Sequence, residues 1–209
     1  EKDLEYFLSI AIVTFFPFDD PDRLLPDVAL WKLAAELLGQ EGIVDECMPK
    51  PTTEVLLAGQ AFPREPPQTR CTARIRLGSI DRAFAVVGDR TWRGDEPSEP
   101  TPFTSMPLAW STAFGGDGFA ENPIGRGFGA SDGAPLPNVE DPRYLLRKRG
   151  DRPPPASPMS LSIAWPQRMS LAGTYDQKWL DERYPGFPVD FDWSFCNVAQ
   201  PEQRLAAPL

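Results

Sequence analysis

The chain has no histidine among its 209 residues. That absence removes the Ser-His-Asp and Cys-His pairs of nucleophilic hydrolases and every imidazole metal ligand. Cysteine is scarce: Cys47, Cys71 and Cys196 form an odd, scattered set with no CxxC pair. Such a set builds neither a disulfide framework nor a structural zinc site. Reduced thiols suit a cytoplasmic protein, and small apolar core roles are expected for them. Long apolar runs are missing too. The best stretch, Phe7 to Phe16, includes Ser9 and Thr14 and ends at Pro17. It falls short of the ~20 residues that span a bilayer and lacks the charged leader and cleavage site of a secretory signal. The chain opens on Glu1 rather than methionine, so residues upstream of it are expected. Positive charge is in deficit, 21 Lys and Arg against 30 Asp and Glu, for a net charge of −9. An acidic chain binds phosphate poorly, so nucleic acid is not expected as a partner, and basic partners are favoured.

What the chain has in quantity is proline and aromatic side chains: 25 Pro, 13 Phe and 6 Trp. Proline breaks helix interiors and central strands, while the aromatics supply core. The expected fold is mainly β, a twisted sandwich or open barrel with one short helix and long ordered loops. A compact α+β arrangement is the alternative. Residues 1–209 read as one domain.

Along the chain, Tyr6 to Phe16 is apolar on both faces and reads as a covered strand. Asp19, Asp20 and Asp22 surround Pro21 in a turn composition that lacks the further oxygen donors of a calcium loop. Pro26 to Leu38 reads as the best helix. Leu30, Leu33, Ala34, Leu37 and Leu38 share one face, and Gly39 is the C-cap. Val55 to Phe62 reads as a strand with a bulge at Gly59. Arg70 to Leu77 sets Cys71, Ala73, Ile75 and Leu77 against Thr72, Arg74 and Arg76, the alternation of a half-buried strand. Gly78-Ser79 then turns into Asp81 to Val87, predicting a hairpin. From Pro97 to Pro158, loops dominate, pinned by Phe103, Trp110, Phe114, Phe119 and Phe128. One helical turn fits Arg143 to Lys148, a flexible stretch Arg147 to Ala156, and a closing strand Trp193 to Val198.

Few groupings point to chemistry. Asp190 and Asp192 would share a face if Phe191 lay in a strand, and two such acids ~5 Å apart could serve a retaining glycosidase. Asp176 with Glu182 is a second carboxylate pair. A turn with local hydrogen bonds is the plainer reading of the Asp190 region. Gly125 to Gly129 lacks the spacing of a phosphate loop. Arg90 can bind a carboxylate or stack on Trp92, and the pair could instead form a partner hot spot.

A series of short motifs runs through the chain in order. It begins with Lys50-Pro51-Thr52-Thr53-Glu54, Gly88-Asp89-Arg90-Thr91-Trp92 and Ala113-Phe114-Gly115-Gly116. Asn122-Pro123-Ile124-Gly125, Leu136-Pro137-Asn138-Val139-Glu140 and Trp165-Pro166-Gln167-Arg168 follow. Gly173-Thr174-Tyr175-Asp176 and Pro188-Val189-Asp190-Phe191-Asp192 complete it. Across roughly residues 45 to 204 this series resembles the bacterial type VI secretion effector-adaptor family. The resemblance implies a cytoplasmic, non-enzymatic chaperone that holds a toxic effector and helps load it onto the PAAR/VgrG spike, with no cofactor and no metal; a carboxylate-dependent hydrolase and a structural component of the secretion apparatus are the alternatives. It implies partner-binding or fold-defining roles for Lys50, Asp89, Arg90, Trp92, Phe114, Asn122, Asn138, Tyr175, Asp176, Asp190 and Asp192. Family members usually continue beyond the position of Leu209, so a C-terminal continuation is expected.

Overall fold

The computed structural model describes residues 51–161 and 165–205. The strand expected at Tyr6 to Phe16, the helix at Pro26 to Leu38, Cys47 and Lys50 lie outside the described residues. The architecture is mainly β, and among the described residues the strands fall into five small sheets, none of them closed into a barrel.

The chain enters through β1 (Thr53–Glu54) and β2 (Gln60–Ala61). The single strand expected across Val55 to Phe62 is thus broken. Its two ends pair with different partners: β1 runs antiparallel to the last described strand, and β2 to Met106–Pro107. The intervening Leu56 and Leu57 stay exposed, so burial does not hold that segment straight.

The hairpin is as expected. β3 (Arg70–Leu77) and β4 (Ile80–Val87) pair antiparallel across Gly78-Ser79. Cys71, Ala73 and Ile75 lie opposite Val86, Phe84 and Arg82, on one face. That face joins the core cluster of Phe84, Val86, Phe103, Met106, Leu108 and Val139. Leu77, expected on the buried face, is 54% exposed because it adjoins the turn, at the tip of the hairpin.

β5 (Trp92–Arg93) and β6 (Glu96–Pro97) form a small ribbon, and β7 (Met106–Pro107) returns to β2. After a 3₁₀ turn at Trp110–Thr112, β8 (Phe114–Gly115) pairs in parallel with β9 (Arg126–Gly127). β10 (Val139–Glu140) adds to β4 and completes the order β10–β4–β3. The one-turn helix expected at Arg143 to Lys148 is absent. There the Leu146 N–H bonds to the Glu140 carboxylate at 3.3 Å instead of continuing a helix. The stretch Arg147 to Ala156, expected to be flexible, is pinned. Asp151 accepts from the N–H groups of Arg147 and Lys148, Arg152 covers the Phe128 ring, and Pro153, Pro155 and Ala156 are buried.

Two short helices follow, α1 (Pro166–Met169) and α2 (Gln177–Glu182), and then a 3₁₀ turn at Trp193–Cys196 where a strand was expected. The Asp192 carboxylate accepts the Ser194 N–H at 2.8 Å, which starts a turn rather than extended chain. β11 (Arg204–Leu205) closes on β1. The closure is reinforced by side chains from the far end of the described chain. Gln203 donates to the carbonyls of Val55 (2.8 Å) and Pro158 (3.0 Å), and Glu54 accepts the Ala199 N–H at 2.6 Å.

Candidate functional site

Most strands here are two residues long, so the ladders satisfy few backbone groups, and buried side chains bond to the rest. The motif residues do this work. Asn122 is fully buried, and its amide donates to the carbonyls of Trp110 (2.8 Å) and Phe114 (3.0 Å). A Cβ at Gly115 would lie 2.1 Å from the Asn122 carbonyl oxygen, and one at Gly125 would lie 2.4 Å from its side-chain nitrogen. The Gly-Gly and Asn-Pro-Ile-Gly motifs are therefore two halves of one clamp.

Asn138 is bonded through both its amide nitrogen and its amide oxygen. It donates to the Val87 carbonyl and the Asp89 carboxylate at 3.0 Å each and accepts from Arg126, also at 3.0 Å. Asp89 is itself exposed but held by that bond. Arg90 is buried and gives Nη2 to the Pro137 carbonyl (2.8 Å) and to Glu140 (2.5 Å). Burial pushes the Glu140 carboxyl above its ordinary value, and the charge and hydrogen bond of Arg90 oppose that shift. Trp92 packs with Phe114, Leu136 and Leu146, and its ring is covered by Arg149, not by Arg90. Arg90 and Trp92 are thus both buried, the arginine against Glu140 and the tryptophan within the core.

A cleft of about 310 Å³ opens beside the Arg90–Glu140 pair, lined also by Arg70, Glu96, Glu99 and Arg147. Its serine, Ser98, accepts the Thr91 N–H and donates its hydroxyl to the Glu99 carbonyl. The hydroxyl's donor and one acceptor position are thus committed to the backbone.

Asp190 and Asp192 do not form a carboxylate pair in a cleft. Residues 189–190 form a turn, so the shared strand face does not exist. Asp190 is exposed and accepts the Thr174 N–H (2.9 Å) and hydroxyl (2.7 Å), while Asp192 caps its own turn. Both carboxyls are held below the ordinary range, by the Thr174 N–H and hydroxyl and by Ser194 respectively. Asp176 caps α2 by accepting from Trp179 N at 2.8 Å, and Glu182 ends the same helix, so that pair is separated as well.

What these caps support is a surface of aromatic and aliphatic side chains. Tyr175 contacts Trp179 (ring centroids 4.7 Å apart), and Trp179 contacts Tyr184 (5.7 Å). Phe191 contacts Phe187 (4.4 Å), Trp193 (5.2 Å) and Phe195 (5.7 Å). The indole of Trp179 donates to the Gly186 carbonyl at 2.8 Å. Met169, Tyr175, Leu180, Tyr184, Val189 and Trp193 remain exposed along this one excursion, Val189 by 83%. Tyr175 is thus a surface residue, whereas Arg90, Trp92, Phe114, Asn122 and Asn138 define the interior.

Sequence reasoning passed over Glu140, Arg126, Arg168 and Gln203 as individual residues. Arg168 is buried and donates to the carbonyls of Phe195 (2.7 and 3.0 Å) and Leu161 (3.2 Å). Glu140, Arg126 and Arg168 adjoin or lie within the motifs, which is the signal that could have found them. Gln203 had none.

Among the described residues no group of three His, Cys, Asp or Glu side chains could hold a metal ion, and no helix is long and apolar enough to cross a membrane. No curated protein and no solved structure matches the chain. The match that exists is to a family described as an uncharacterized protein conserved in bacteria (DUF2169), and it spans residues 3–209, a wider range than the motif series. The chain belongs to that bacterial family.

Proposed function

We propose that the chain is a type VI secretion adaptor: a cytoplasmic chaperone that binds a toxic effector and helps load it onto the PAAR/VgrG spike, without catalysing a reaction. The ordered motif series supports the class. The observation that carries the binding role is the exposed aromatic surface between Met169 and Trp193. Isolated apolar residues on a surface are ordinary, but several exposed ones along a single segment, among them Tyr and Trp rings in mutual contact, support a protein-binding face. Its rings are braced by mutual contacts and by capped turns, so little conformational freedom is lost when a partner docks.

The test is capture of the tagged chain from its native cytoplasm with identification of co-purifying proteins. Recovery of a PAAR or VgrG protein together with a toxin is the expected result. Recovery of the chain alone, in cells that express those neighbours, would overturn the reading.

A further inference from the structure

β3 is the edge strand of its sheet. Its backbone alternates in a way the neighbouring bonds fix. Thr69 faces β4, accepting the Gly88 N–H at 2.9 Å, while Gln68 faces outward and exchanges two hydrogen bonds with Phe103, at 3.1 and 2.9 Å. The period of two then directs the N–H and C=O groups of Arg70, Thr72, Arg74 and Arg76 outward. Among the described residues, none of these groups has a hydrogen-bond partner. The edge is already used once, by the chain's own Phe103, and then left open for the length of the strand.

The side chains define what fits there. Arg70, Thr72, Arg74 and Arg76 are exposed on one face. Asp81 binds Arg74 through two bonds of 2.6 and 2.5 Å and reaches Arg76 only at 3.7 Å, while Arg70 borders the cleft of Glu96, Glu99 and Glu140, so Arg76 is the least neutralised of the three arginines. On the other face Cys71, Ala73 and Ile75 are half-buried and continue the core cluster outward. A second copy of this strand does not fit. Antiparallel pairing of two β3 edges in one continuous sheet sets Arg70 opposite Arg76, or Arg74 opposite itself or Arg70, and like charges directly opposed are destabilising.

We propose that the outer edge of β3 accepts an extended segment of a partner protein by strand addition. That segment alternates acidic residues, facing Arg70, Arg74 and Arg76, with apolar residues that cover Cys71, Ala73 and Ile75. The backbone bonds supply the attachment, and the alternation supplies the selectivity. This surface is distinct from the aromatic one and does not depend on the secretion reading.

The test uses the intact chain and two labelled, end-blocked peptides of β3's own length, one alternating glutamate with valine and one alternating lysine with valine. The glutamate peptide is expected to bind about tenfold or more tightly than the lysine peptide at low salt, an advantage that shrinks as salt is added. Its binding slows hydrogen exchange at the amides of residues 70, 72, 74 and 76. Exchanging two of the three exposed arginines, Arg70→Glu with Arg76→Glu, reverses the preference between peptides. Equal binding of the two peptides, binding of neither, or protection confined to other amides would overturn the proposal. So would dimerisation of the free chain that protects the same four amides.

Discussion

At the scale of single residues, the interior is held by ionic and amide side chains where a larger sheet would use ladders. Arg90 and Glu140 show the consequence. Both are buried, and each satisfies the other's charge while also bonding to backbone. Removing one member of a buried pair leaves an uncompensated charge, whereas removing both leaves only a packing problem. Glu140→Gln should therefore lower stability to urea by about 3 kcal/mol or more, and Arg90→Met combined with Glu140→Leu should recover most of that loss. Equal losses in the single and double variants would show that the pair's charges are not coupled.

At the scale of elements, the excursion from Gly173 to Phe195 rests on ionised caps. Asp190 and Asp192 have folded carboxyls held below the unfolded value, by Thr174 and Ser194. Their contribution is fully present above the unfolded pKa, about 3.9, and is lost as pH falls through the lower folded value. Acidification below about pH 4 should then loosen this excursion while the β3–β4 hairpin persists. Hydrogen exchange would show it directly, and Asp190→Asn should flatten the acid dependence at Thr174. An excursion that stays protected to the point of global unfolding would contradict this. The hairpin was legible apart from the exposure of Leu77, because alternation of Cys71, Ala73 and Ile75 against Thr72, Arg74 and Arg76 is a local signal of burial. The loops were legible as ordered but not in shape. Their form depends on which distant carbonyl Asn122, Asn138, Arg168 or Gln203 reaches, and no periodicity encodes such a pairing. The carboxylates of the 176–192 region were legible as turn formers, and a shared strand face for Asp190 and Asp192 failed because capping bonds outcompete extension.

At the scale of the whole molecule, a rigid interior presents an aromatic surface that does not contribute to its own core. Leu180→Ser with Val189→Ser should leave stability to urea within about 1 kcal/mol of the parent, since both side chains are exposed. The same pair should lower recovery of a co-purifying partner about tenfold or more, as truncation at a hot spot does. A large loss of stability, or unchanged recovery, would remove the surface from the binding role. The pairing of the first described strand with the last has a consequence during synthesis. Thr53 and Glu54 meet Leu205 and Arg204, and the Gln203 bond to Val55 spans 148 residues. At roughly 5–20 residues per second, a ribosome needs on the order of ten seconds or more to deliver the partner of β1. For that interval the nascent chain carries an open seam at β1, which closes only once residues 203–205 have emerged.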